Sequence, residues 1–170
     1  MDIYKILAEH QIEYQRSDHP AVFTVEEAHR LTPDMPGAKT KNLFICDNKG
    51  KQHFLIVLEA DKRIKLKLLA EVLGVKKVRF ASPKRLMRHL GITPGAVSIL
   101  AVINDREKAV KVVIDSHLWQ TAKAILCHPL VNTSTLAIAL HDIKRLLNST
   151  GQPFQILELP TEDFIPETSS

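Results

Sequence analysis

Residues 41–60, KNLFICDNKGKQHFLIVLEA, constrain the fold more than any other stretch of the chain. Two runs, 41–47 and 52–60, are rich in apolar, β-branched and aromatic residues, and Asn48-Lys49-Gly50-Lys51 joins them. Strand-forming runs on either side of a short turn with Asn and Gly predict a β-hairpin. A second pair of apolar runs, 97–103 and 109–114, flanks Asn104-Asp105-Arg106-Glu107-Lys108 and predicts a second hairpin. Residues 122–127, 133–140, 154–159 and the short 78–81 also read as strands.

Helices are expected between these runs. Ile3, Ile6 and Leu7 recur at helical spacing over residues 2–10. Thr24 and Glu27 form a capping box, with a helix over 25–30. Residues 64–73 read as a helix closed by Gly74, and Ser82-Pro83 caps another that runs to Leu90 before Gly91. A short turn of helix is expected over 116–120 and a longer one over 142–148. Strands that come in antiparallel-looking pairs, with helices interspersed, predict an α+β fold. Its sheet should be large, mixed and mostly antiparallel, barrel-like, with helices around it.

With 170 residues the chain has the size of one domain, and we assign residues 1–160 to it. Residues 161–170 are expected to be an acidic, disordered tail. Net charge is +4, but residues 158–170 carry four acids and no Lys or Arg, which leaves +8 on residues 1–157. Such a body either favours an anionic partner or is an ordinary solvated surface. No apolar run approaches the ~18 residues of a membrane span. The first fifteen residues lack an uninterrupted apolar core, so no signal peptide is expected. Two cysteines without a CxxC fit a reducing cytosol.

Several chemistries lack their signatures. The chain has no GxxxxGK[ST], GxGxxG, HExxH or GxSxG, and its eight histidines show no zinc spacing. No metal or cofactor is expected. Cys127-His128 suggests a thiol nucleophile, but neighbours on a strand point to opposite faces, so Cys127 reads as a buried thiol. More informative is Lys39-Thr40-Lys41-Asn42. On a strand Lys39, Lys41, Leu43 and Ile45 share one face, and Thr40, Asn42, Phe44 and Cys46 the other. Lys41 is then a cation above apolar side chains, with Asn42 beside it. Either it sits at the mouth of a cavity, where attraction for an anion grows as the local dielectric falls, or the two lysines are gatekeepers that suppress aggregation.

Six segments occur in an order that resembles the YbaK-type family of aminoacyl-tRNA deacylases. They are HPAVFTVEEA (19–28), KTKNLFICD (39–47), HFLIVLEADKRIKLKLL (53–69), LGVKKVRFAS (73–82), LGITPGAVSILAVIND (90–105) and HPLVNTSTLAI (128–138). The chain is most similar to the freestanding branch that resembles the editing domain of bacterial prolyl-tRNA synthetase. That resemblance implies a trans-editing esterase for alanine wrongly attached to proline tRNA. It places the catalytic lysine on Lys41 and substrate contacts on Asn42, Ser98 and His128. Where a proline is expected soon after that serine, this chain reads Ser98-Ile-Leu-Ala. The resemblance also implies attack by water assisted by the ribose hydroxyl; the residues themselves identify no base. Lys62, Arg63 and Lys65, with Lys76, Lys77 and Arg85, would approach the tRNA, and prolyl-tRNA synthetase is a further expected partner. With aromatic residues only 5% of the chain, base stacking is not expected to dominate. The alternatives are a deacylase for another small residue (cysteine or serine), a hydrolase of free esters, or a non-catalytic binding module.

Overall fold

The structure is a computed structural model that describes residues 2–21, 30 and 34–163. The helix expected over 25–30 therefore lies, Arg30 apart, outside the described residues. Helix α1 (Ile3–Glu9) opens with Asp2, whose carboxylate accepts from the Tyr4 N–H at 3.0 Å. Strand β1 (Tyr14–Asp18) follows. The predicted hairpin is present as β2 (Ala38–Asp47) and β3 (His53–Glu59), antiparallel with Leu43 opposite Ile56. Gly50 in its turn has φ +69°, and a Cβ there would strike the Arg85 guanidinium. A side chain at this turn would thus meet both strain and a clash.

After β4 (Lys62–Ile64), helix α2 (Leu66–Leu73) ends at Gly74, and β5 (Val78–Phe80) and α3 (Pro83–Leu90) succeed it. The cap at Ser82 is as expected, its Oγ accepting from the Arg85 N–H at 3.2 Å. The later elements are β6 (Val110–Asp115), α4 (Ser116–Thr121), β7 (Ala124–Cys127), β8 (Ser134–Ala139), α5 (Leu140–Thr150), β9 (Phe154–Leu157) and β10 (Thr161–Asp163).

The second hairpin is not formed. Residues 99–104 are a 3₁₀ helix, with the Ser98 Oγ accepting from the Leu100 N–H at 3.2 Å. Four consecutive residues, Ile99 to Val102, are at most 2% exposed, so the run carries no period that tells helix from strand. Asp105 supplies the second reason. Its carboxylate accepts from the N–H groups of Ala109 and Val110 and from the Gln152 amide. The turn is thereby satisfied without a neighbouring strand.

Eight strands form one mixed sheet in the order β1-β8-β7-β2-β3-β6-β9, with β5 on β2. Among the described residues five of the eight pairings are antiparallel; β2·β7, β3·β6 and β6·β9 are parallel. The expected α+β class with a mostly antiparallel mixed sheet is thus the observed one. The main core packs Phe44, Leu55, Val57, Val112, Ile114 and Ile125 against α1, α3 and α5. A smaller core on the other face joins Ile45, Ile56 and Leu58 to Leu69 of α2. The start of the expected tail is ordered against the domain, with β10 antiparallel to β4 and Glu162 opposite Arg63. Residues 164–170 lie outside the described residues.

Candidate active site

Strand β2 changes partners along its length. Gly37, at φ +151°, a conformation that side chains disfavour, leads into it, and a Cβ there would crowd the tip of the Leu126 side chain at 3.0 Å. Ala38 and Lys39 pair in parallel with Ile125 and Leu126. One residue on, the Thr40 hydroxyl donates to the Leu126 carbonyl at 2.8 Å. There β7 ends, because Pro129 cannot continue a ladder. On the same side of β2, β5 takes over at Ile45, and the Ala81 N–H reaches the Phe44 carbonyl at 3.0 Å. Between these points no described strand pairs with that edge of β2. The sheet is split at Lys41, Asn42 and Leu43.

Lys41 is half-buried and opposite Leu58, so it stands on the face of the smaller core. Burial lowers its pKa from the ordinary lysine value; Asp61 pulls it up and Arg63 lowers it again. The ammonium is thus partly stripped of water, and among the described residues no carboxylate is an ion-pair partner for it. Asn42, opposite Val57, stands on the main-core face, and its buried Oδ1 has no hydrogen-bond partner. Strand alternation therefore separates Lys41 and Asn42. A ligand seated in the split is what could touch both.

His128 follows β7 at the split, two residues beyond Leu126 as Lys41 is two beyond Lys39. Its Nδ1–H donates to the Ser134 carbonyl at 3.0 Å, which leaves Nε2 as the acceptor. Burial lowers its pKa, the Ser134 bond opposes this, and His19 adds to the lowering. The His19 ring lies 6.3 Å away. Its Nδ1–H donates to the Pro20 carbonyl, and its Nε2 accepts from the Thr135 hydroxyl, both at 2.8 Å. The sequence marks His19 only through a repeated His-Pro dipeptide, His19-Pro20 and His128-Pro129, and the fold brings the two imidazoles together.

Ser98 is 0% exposed and its Oγ caps its own 3₁₀ helix. The structure thus gives it a framework position, and among the bonds described none links it to Lys41 or His128. Cys127 is buried and its thiol is pushed up to about 12 by desolvation. It is no nucleophile at neutral pH.

The basic residues divide into three groups. Lys62 and Arg63 lie on β4, in register with Asp163 and Glu162 of the last strand. Lys65 precedes α2 and is exposed, as are Lys76 and Lys77 before β5. Arg85 is committed to the hairpin: its guanidinium donates to the Gly50 carbonyl at 3.0 Å and meets the His53 Nε2 at 3.1 Å. Among the described residues no group of His, Cys, Asp and Glu is placed to hold a metal ion, and no helix is long and apolar enough to cross a membrane.

A half-buried ammonium and the imidazole of His128, whose Nε2 is left as an acceptor, thus lie where two parallel strands part. The chain belongs to the aminoacyl-tRNA editing domain family, which matches residues 19–146. It is 36% identical over 153 residues to the prolyl-tRNA editing protein ProX of Acetoanaerobium sticklandii, covering 90% of this chain and 93% of that one. It is 34% identical over 150 residues to prolyl-tRNA synthetase associated domain-containing protein 1 of Danio rerio, covering 88% and 81%. A solved structure provisionally described as a trans-editing enzyme for prolyl tRNA synthetase shares the fold, with a TM-score of 0.66 at 18% identity over 93% of this chain and 96% of that one.

Proposed function

We propose that this chain is a freestanding aminoacyl-tRNA deacylase that hydrolyses the alanyl ester of mischarged proline tRNA in the cytoplasm. One observation carries the reading: the half-buried ammonium of Lys41 at the split of the sheet, in a chain of the editing family. Hydrolysis of the ester passes through a tetrahedral oxyanion. A cation fixed in partly desolvated surroundings stabilises that charge, or holds the terminal phosphate that orients it. The bare Oδ1 of Asn42 is an acceptor in want of a donor, and the α-ammonium of the aminoacyl group is such a donor. His128, neutral by burial, offers Nε2 as an acceptor for the attacking water or the ribose hydroxyl. An ester held in this way needs little more than positioning and exclusion of bulk water.

Selectivity follows from size. The synthetase cannot fully reject a smaller side chain, because a missing methylene is worth only ~1–3 kcal/mol. A second, narrow site admits alanine and excludes proline. The names of ProX and of the synthetase-associated relative support proline tRNA as the carrier and the synthetase as the source of the error.

The test is a charging panel: the purified chain incubated with proline tRNA bearing alanine, serine, cysteine or proline. Loss of the alanine ester alone is expected. Preferential loss of cysteine or serine would shift the specificity, and no loss above the buffer rate would leave a binding module.

A further inference from the structure

The aromatic side chain of Phe80 is 58% exposed, more than Met87, Val131 or any other large apolar residue whose exposure the structure describes. It is not exposed because its strand peels away. Val78, on the same face two residues earlier, is 4% exposed, and Phe80 stays in register opposite Ile45. Strand β5 pairs with β2 alone, so Phe80 stands on a sheet edge, where an apolar ring is a standing hazard for aggregation.

Its surroundings point to a polyanion. Residues 72–104 contain six Lys or Arg and not one Asp or Glu. Lys76 and Lys77 lie in the loop before the strand and Arg79 on its other face, and all three are exposed. An exposed aromatic among cations offers what an unpaired nucleotide needs, a face for its base and charges for its phosphate.

Its position fixes which nucleotide. Residues directly opposite on paired strands share a face, so Phe80 shares one with Ile45, and Ile45 with Leu43 and Lys41. Four residues of strand separate the Ile45 and Lys41 positions, roughly 13 Å at about 3.3 Å each. A stacked strand rises 3.4 Å per nucleotide, so this is the reach of about four nucleotides. The acceptor arm of a tRNA ends in an unpaired strand of that order. We infer that Phe80 is a stacking platform for an unpaired base at the far end of that strand from the esterified terminal nucleotide. The cations beside it hold the flanking phosphates. This rests on the deacylase reading above and adds the element that would bind the acceptor end. The scarcity of aromatic residues does not argue against it, because one ring at the right distance suffices.

The experiment compares the full chain with Phe80→Ala, Phe80→Leu and Phe80→Trp, after melting curves show equal folding. Alanine release is followed from alanyl-tRNA and from 3′-alanyl-adenosine, which lacks upstream bases. Phe80→Ala and Phe80→Leu are expected to raise KM for the tRNA roughly fivefold to a hundredfold with kcat little changed. Phe80→Trp should retain the wild-type value, and none of the three should alter hydrolysis of alanyl-adenosine. Normal KM in Phe80→Ala, or full rescue by leucine, overturns the platform while the deacylase stands. Should the wild type cleave neither ester, the deacylase reading fails and a second measurement decides on Phe80. A short single-stranded RNA ending in CCA quenches added tryptophan fluorescence in Phe80→Trp if the ring stacks on a base, and leaves it unchanged if it does not.

Discussion

A lysine at a strand entrance gains in attraction for an anion as it loses water, up to the point where it would rather lose its proton. Lys41 sits between those limits: burial lowers its pKa, but Asp61 counters part of the effect. Burial lowers the pKa of His128 in the same direction, and because an imidazole starts near neutrality this favours its neutral form, with Nε2 as an acceptor. The neighbouring Cys127 shows how much one position changes. Its side chain belongs to the main core, and desolvation drives its thiol to about 12. The thiolate, which is the reactive form, is therefore absent at working pH. Native protein treated with iodoacetamide at pH 8 is expected to keep both cysteines unmodified, by intact mass, and its full deacylation rate. Rapid alkylation of Cys127 with loss of activity would return it to the catalytic machinery.

At the scale of elements, the site exists because β2 exchanges β7 for β5 in mid-strand. The hairpin that carries β2 was legible, because two apolar runs around Asn48-Lys49-Gly50 admit few other readings. Other elements were not. Strand β1, Tyr14–Asp18, is polar and largely exposed, and it is held by β8 from the far end of the chain, so no local pattern announces it. The 3₁₀ helix at Ile99 was read as a strand because uniform burial erases periodicity. Lys41 and Asn42 were legible as a charged strand entrance, and the resemblance gave them roles. The split itself depends on the parallel pairing of Lys39 with Leu126, which no short stretch encodes. Asp105, 2% exposed, holds the turn that sets the 3₁₀ helix against β6. Asp105→Ala leaves the buried Val110 N–H, the part-buried Ala109 N–H and the Gln152 amide without that acceptor, at a cost of about 3 kcal/mol. The urea midpoint should fall accordingly. A loss within about 0.5 kcal/mol, typical of surface substitutions, would show that the turn is held by other means.

The whole molecule stacks helices on both faces of one sheet, and its acid sensitivity follows from where the histidines lie. His53, buried beside Phe44 and 4.2 Å from the His89 ring, has its pKa pushed down to about 4. Burial is the main cause, with His89, Arg85 and Arg88 adding to it and Asp47 opposing. His89 and His128 are lowered too, again chiefly by burial. Well above pH 6.5 these imidazoles are neutral in both states and cost nothing. As pH falls from there toward 4, the unfolded chain binds protons that the folded one refuses, and stability drops. Urea midpoints at pH 7.5, 6 and 5 should decline in that order, and His53→Phe should flatten the slope. A midpoint that rose on acidification would refute the assignment. The same sheet brings the ammonium of Lys41 to the stretch of β2 between its pairings with β7 and β5, where among the described residues no strand lies on that edge. Single-turnover release of alanine from alanyl-tRNA carrying the proline anticodon, by wild type and by Lys41→Ala at matched melting temperature, tests that placement most directly. The variant is expected to be slower by about a hundredfold or more. A Lys41→Ala protein that keeps the wild-type rate would show that the split at Lys41 is not the active site.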